Sequence, residues 1–356
     1  MTRLRLPAGL ALAALLLAAC SSGPAPQPAD SATLPRVTMT GPESGYAVWP
    51  SGVRWIVLST TDGWRTVTNR TPVAVPTDGG VVLAAQPGRL TLGVLPFQAL
   101  TVSPVLTSDG STRQWNPTQL PSALAATAGA LARTGSTTWA VLADGSLVRQ
   151  DDGAATWTTA AAPGSLPLGD GSPTGIWFTP DGTGFVTVSR HDDGPLLLVS
   201  DDSGATWRDS GLRAAGSDVA ARPPCRLGSS YAVPVQADDH LLVLTASSSA
   251  GPWTAGPALP ASGQAVVSCA PASVVAAAPS GGGDAVYAAA PGAAWAQVGS
   301  TDTRLVSLDA VSDTRAFAAD DDAGRVLDLA LGPAPAVTEV PLPDWVATIG
   351  GGAMRT

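Results

Sequence analysis

The chain has 356 residues, of which only 13% are charged, and its 28 acidic against 19 basic side chains leave a formal net charge of −9. Every basic residue is Arg, and the acids are Asp apart from Glu43 and Glu339, a balance that disfavours nucleic acid or an anionic lipid surface as a broad electrostatic partner. Among strong helix formers only Ala and Leu are plentiful, whereas Gly (39) and Pro (32) abound, which argues against a helix bundle and for strands and turns.

Residues 1–19 place Arg3 and Arg5 ahead of a short apolar run, 10–17, which reads as a secretory signal and is too short to span a bilayer comfortably. The ending Leu17-Ala-Ala-Cys20 resembles a bacterial lipobox, which implies cleavage before Cys20 and acylation of its thiol. Residues 20–33 are rich in Pro, Ser and Ala and predict a semi-extended tether reaching up to about 40 Å at about 3.1 Å per residue. Residues 34–356 remain for folding. Length alone suggests about two domains, but internal repeats reassign this stretch to one.

The first repeat predicts strands over 36–40, 45–49, 54–59 and 64–69, with Ser59-Thr-Thr-Asp62-Gly63-Trp64 as the last turn. Related turns follow at Thr107-Ser-Asp109-Gly110, leading to Trp115, and at Asp151-Asp152-Gly153-Ala-Ala-Thr156-Trp157. The fourth unit carries the fullest version, with strands over 175–179, 184–189 and 196–200 running into Ser200-Asp-Asp202-Ser-Gly204-Ala-Thr206-Trp207. In it Ser200 and Asp202 are placed to accept backbone N–H groups, Gly204 to take positive φ, and Thr206 and Trp207 to begin the returning strand. Two degenerate copies end at Gly251-Pro-Trp253 and Gly292-Ala-Ala-Trp295, and a final unit without a Trp occupies 305–340. The Trp residues recur every 42 to 51 positions, the period of propeller blades with four short strands each.

The octet 200–207 resembles the Asp-box, the bacterial neuraminidase repeat, whose families build β-propellers. The expected fold is therefore an all-β, seven-bladed propeller of four-stranded antiparallel blades, with six blades as the alternative count. The segment 344–349 is expected to pair near residues 36–58 and close the ring. Trp49, Trp55, Trp139 and Trp177 are assigned to the core between blades rather than to ligand platforms.

Cys225 and Cys269 lie 28 and 26 residues before Trp253 and Trp295, at matching places in adjacent units, and are expected to form a disulfide. His191 and His240 are isolated, and no zinc-like spacing exists. Three connections between second and third strands are acidic: Arg190-His-Asp192-Asp193, Asp238-Asp239-His240 and Asp320-Asp321-Asp322. They read as solvated hairpin turns or as a face for a cation or basic partner, and Asp192, Asp238 and Asp320 are candidates to converge around a metal. Arg213, Arg222 and Arg226 follow the fourth unit, either as scattered surface charges or as a carboxylate or phosphate clamp. The Asp-box resemblance implies that function resides on the face opposite the boxes.

Sialidases sharing the Asp-box need an arginine triad, a Tyr activated by a Glu, and an acid/base Asp, usually after an Arg-Ile-Pro element. This chain lacks Arg-Ile-Pro and offers only Tyr46, Tyr231, Tyr287 and two Glu. It also lacks a G-x-S-x-G, a metal-ligand run and a phosphate loop, so no catalytic residue, cofactor or metal ligand is assigned. In texture it is closer to secreted propellers resembling photosystem II assembly factors. The expected function is a monomeric, extracytoplasmic scaffold for an envelope protein or glycan, touching the membrane through its lipid alone. The alternative is an Asp-box glycoside hydrolase of sialidase type. Replacing Cys20 by Ser should move the protein from the membrane fraction to the soluble fraction; unchanged sedimentation with membranes would defeat the lipid assignment.

Overall fold

The computed structural model describes residues 35–51, 54–72, 81–94, 105–109, 114–118, 120, 128–142, 144–190, 194–214, 219–237, 239–320, 325–340, 342 and 343. Short apolar runs separated by turns, many carrying a Gly at positive φ, form antiparallel hairpins, and these assemble into seven sheets spanning 36–69, 81–118, 128–161, 172–209, 219–260, 266–301 and 305–340. Each sheet is a meander, and the strand positions are called A to D in chain order. The count is seven blades, not six. Blade 4 is representative: Ser172–Phe178, Gly184–Ser189, Leu196–Ser200 and Arg208–Asp209 pair in sequence order. Its C strand Leu196–Ser200 is buried at every position, whereas Arg208 and Asp209 on its D strand are exposed, so polarity grades outward.

Because the B and C strands are apolar on both faces, every blade must bury two sides, and only a closed ring provides that. Trp139 of blade 3 stacks on Phe178 of blade 4, with 4.2 Å between ring centroids. Phe185 of blade 4 meets Tyr231 of blade 5 at 5.1 Å, with Trp177 alongside. The ring closes where Val37, Trp49, Ile56, Leu58 and Trp64 of blade 1 share a core with Phe317, Ala319, Val326 and Val340 of blade 7. Trp49, Trp55 and Trp139 are thus buried between blades, and Trp177 packs into the seam of blades 4 and 5. Segment 344–349, expected to act as the clasp, lies outside the described residues, and among those residues each blade is built from one contiguous stretch.

Four seams carry a repeated polar latch. Trp Nε1–H groups donate backward to the outer strand region of the preceding blade: Trp115 to Arg70 O (2.6 Å), Trp157 to Thr118 Oγ1 (2.9 Å), Trp253 to Ser210 O (3.2 Å) and Trp295 to Pro257 O (3.0 Å). One side chain thereby buries a large apolar ring between sheets and satisfies its donor across the same seam.

Blade 5 departs from this plan. Its A strand is split into Val219–Ala221 and Cys225–Leu227, both pairing with Ser230–Ala237, and its D strand is split into Thr254–Ala255 and Leu259–Pro260. Proline explains the inner break, since Pro223 and Pro224 have no N–H for the ladder. The B strand carries Pro234 in its interior, where its carbonyl accepts the Arg222 N–H at 2.9 Å. A residue's N–H and C=O point the same way in a strand, so the donor that Pro234 lacks would have faced the interrupted side. Cys225 and Cys269 are disulfide-bonded, with Cα atoms 6.3 Å apart, and staple the second half of this broken strand to the A strand Val266–Cys269 of blade 6. The bond closes a loop of 44 residues, so replacing both cysteines by Ala should lower unfolding free energy by about 4 kcal/mol in the chain-entropy account. Urea denaturation of the two proteins checks this; an unchanged midpoint and slope would contradict it.

Candidate functional site

The B–C and D–A connections share one face of the ring, and several of the charges described there are engaged. In blade 4 the half-buried Arg190 donates through Nε to Gly194 O at 3.2 Å. Gly194 has φ +69°, and a Cβ there would lie 3.2 Å from Ala214 O, so this turn rests directly on the D–A connection. Within that connection Arg213 makes a two-pronged contact with Asp209, Nη2 to Oδ2 at 2.8 Å and Nη1 to Oδ1 at 3.2 Å. Hydrogen bonding from Arg213 holds the Asp209 carboxyl below its usual range. In blade 5 Asp239 contacts His240 Nδ1 at 2.9 Å. Asp320 of blade 7 is fully buried and bound by Arg325, Nε to Oδ2 at 2.6 Å, which turns a residue expected in a solvated or metal-binding turn into an internal ion pair. Asp192, Asp193, Asp238, Asp321 and Asp322 lie outside the described residues. Among the described residues no group of three or more His, Cys, Asp or Glu is arranged to hold a metal.

The three arginines expected as a clamp are dispersed. Arg213 occupies the D–A connection, Arg222 lies within the break of the blade 5 A strand, and Arg226 sits beyond it on Cys225–Leu227, close to the A–B turn. Arg226 is therefore toward the opposite face, with its guanidinium 5.6 Å from the Tyr231 ring centroid.

That opposite face carries the Ser200–Trp207 turn. Ser200 Oγ accepts the Gly204 N–H at 2.8 Å and donates to Asp202 Oδ1 at 2.8 Å, while Asp202 accepts the Thr206 N–H (2.8 Å) and hydroxyl (2.6 Å). The Thr206 bonds, then Ser200, pull the Asp202 carboxyl down to about 2. Gly204 has φ +87°, and a Cβ there would come within 2.6 Å of Leu147 Cδ2 in blade 3, so both conformation and packing require glycine. Blade 1 repeats the network one residue later than its sequence suggests. Thr60 takes the part of Ser200, Asp62 that of Asp202 and Thr66 that of Thr206, with Trp64 N bonded to Thr60 Oγ1 at 2.9 Å. Trp64 thus stands where Gly204 does, at φ +70°, a costly conformation for a bulky residue that is offset by its complete burial in the seam of blades 7 and 1.

The axis of the ring holds a feature of different character. Arg36 begins the blade 1 A strand and pairs with Val48, three residues before Ser51 at the B–C turn. Arg222 bonds Pro234 O, three residues before Ala237 at the blade 5 B–C turn. The two arginines therefore sit at one depth, about 10 Å below the face at 3.3 Å per strand residue. Blades 1 and 5 are not neighbours in the ring, so the two lie on strands of separate blades. Burial, then the Arg222 charge, lowers the Arg36 guanidinium to about 10, and burial also lowers Arg222.

No family model matches the chain, and no curated protein matches it in sequence. Its fold does have solved counterparts. A GH74 xyloglucanase from Xanthomonas campestris superposes with a TM-score of 0.62 at 17% identity, over 84% of this chain and 52% of that one. YCF48 bound to D1 peptide gives 0.58 at 15% identity, over 86% and 93%. The Cps50 (Swd1) β-propeller domain of Myceliophthora thermophila gives 0.61 at 10% identity, over 84% and 98%. This chain spans about half the length of the xyloglucanase. At such identities the similarity establishes the propeller fold and leaves activity to be argued from the site.

Sequence reasoning missed Arg36 and Asp309. Asp309, on the blade 7 A strand Leu305–Ser312, accepts Met39 N–H of blade 1 at 2.8 Å and Ser268 Oγ–H of blade 6 at 3.4 Å, joining three blades. Ser307 and Ser268 extend the belt, accepting Val37 N–H and Ala310 N–H at 2.9 Å each. A lone Asp within an alternating strand was the available signal, but it carries no spacing motif. Burial raises the Asp309 carboxyl from 3.8 to about 6 against these hydrogen bonds. Folding thus favours its protonated form, so its contribution to stability falls as pH rises from about 4 to about 6 and is level above. Asp309→Asn keeps an acceptor for Met39 and should show a stability advantage over wild type that grows across that window. Denaturant midpoints at pH 4.5, 6.0 and 7.5 measure this; a constant difference would refute the assignment.

Proposed function

We propose that this protein is an extracytoplasmic binding or scaffold propeller, anchored by lipid on Cys20, which engages an envelope protein or glycan through its B–C and D–A face. The observation that carries this reading is the seven-bladed ring itself, whose A strands hold Arg36 and Arg222 at one depth below that face. The Cys225–Cys269 bond supports an oxidising compartment, and the 200–207 Asp-box turns support a structural role on the far face.

The glycoside hydrolase alternative draws support from the GH74 fold likeness. A paired-carboxylate mechanism requires two carboxyl groups about 5 to 9.5 Å apart and free to exchange protons with substrate. Among the described carboxylates on this face, Asp209, Asp284 and Asp320 are each held by an arginine, Arg213, Arg304 and Arg325 respectively, and Asp239 by His240. The purified protein should leave a fluorogenic sialoside and a panel of aryl glycosides uncleaved, with or without calcium. It should also retain a partner from solubilised envelope. Turnover abolished by Asp192→Asn or Asp238→Asn would replace the binding reading with the hydrolase.

A further inference from the structure

The point where the chain enters the ring decides which face a membrane anchor can present, on the premise that Cys20 carries the lipid proposed above. Entry is at the blade 1 A strand Arg36–Met39, whose register pairs Arg36 with Val48 and Met39 with Gly45. That strand therefore runs from the B–C and D–A side toward the A–B turn, and Pro35 just ahead of it is buried. The anchor is thus joined at the innermost strand, about 10 Å below the B–C and D–A face at 3.3 Å per strand residue. The Ser200–Trp207 turn lies on the opposite face.

Reach then limits orientation. Residues 20–33 span about 40 Å at about 3.1 Å per residue, and the climb to the face uses about 10 Å of it, leaving about 30 Å. To turn the Asp-box face toward the bilayer, the same stretch would have to cross to the rim and descend the outside of a blade. A domain the size of 34–356 has a radius of gyration of about 20 Å, so the rim lies at least about that far from the axis. Strands such as Gly45–Ser51 add about 20 Å of height. The detour, about 40 Å, exceeds the reach that is left.

We infer that the B–C and D–A face is turned toward the membrane, and that its partner is the extracytoplasmic part of an integral protein of that same membrane. The space between face and bilayer is at most about 30 Å deep, which admits loops or a small domain and keeps the face away from glycan beyond the ring. The net charge of −9 opposes seating the ring directly on anionic lipid, so protein fills the space. Anchoring in one membrane also raises the effective concentration of the two partners, so a small contact suffices.

The test compares two donor fluorophores on the full-length lipidated protein in phosphatidylcholine vesicles that carry an acceptor-labelled lipid. One is attached through Ser262→Cys, exposed in the connection between blades 5 and 6 on the B–C and D–A face, the other through Ala155→Cys, exposed in the blade 3 C–D turn. Transfer from position 262 should be several-fold stronger than from position 155. A second copy of residues 21–33 inserted after Thr33 should shrink that difference several-fold, and an undiminished difference would overturn the reach argument. Equal transfer from both positions, or stronger transfer from position 155, would overturn the orientation while leaving the anchor standing. Transfer from neither would sink the anchor and the orientation with it. In intact cells, photo-reactive benzoylphenylalanine at position 262 should cross-link to an integral membrane protein, and the yield at position 155 should be several-fold lower. No adduct at position 262, adducts with cell-wall glycan alone, or equal yields from both positions would overturn the partner assignment.

Discussion

The structure depends on burying both faces of each small sheet at once. A four-stranded meander with apolar B and C strands exposes too much surface to persist alone, and stacking one sheet on another merely moves the problem to the outer faces. Only a ring in which every blade has two neighbours removes it. The seam residues show how this is done with few aromatic side chains. Phe178, packed between Trp139 and Trp207, belongs to blade 4 and completes a core begun in blade 3. The recurrent Trp latches add direction, because their indole N–H reaches back to the preceding blade and so fixes the angle between sheets as well as their contact.

Ring closure follows the same logic without a shared strand among the described residues. Blade 7 has no Trp of its own at the seam, and blade 1 supplies Trp49 and Trp64 to the common core. The positive φ of Trp64 makes sense only there. Shifting the turn by one residue places the largest side chain at the position where blade 4 uses Gly204, and its complete burial compensates the backbone cost. The inner belt of Ser307, Asp309 and Ser268 then ties the A strands of blades 6, 7 and 1 through backbone N–H groups that no sheet partner would otherwise satisfy.

Charge is partitioned by location. Toward the rims, carboxylates and arginines neutralise one another, in pairs such as Asp328 with Arg315, bound at 2.7 and 2.9 Å. On the inner strands, burial holds Arg36 and Arg222 below the usual arginine range. That arrangement costs stability, and local departures from self-consistency of this kind concentrate at functional positions. Blade 5, with its split strands and its disulfide, is irregular at the point where one of these arginines is presented.

The repeat, the strand order and the all-β class were legible in the sequence because turn chemistry and Trp periodicity are local properties, written within a few residues. Strands expected over 45–49 and 184–189 match Gly45–Ser51 and Gly184–Ser189 closely for that reason. Even locally, the blade 1 turn was misaligned, since Asp62-Gly63-Trp64 resembles the octet's ending while the hydrogen bonds select Thr60, Asp62 and Thr66. Long-range charge placement was not legible. Arg36 and Arg222 are separated by 186 positions, and nothing in either neighbourhood marks the other; the ring brings them to one level on separate blades. Asp320 looked like part of an open acidic turn until Arg325 enclosed it. Periodicity specifies how each blade is made, whereas which charges meet is settled by the curvature that seven packed blades impose.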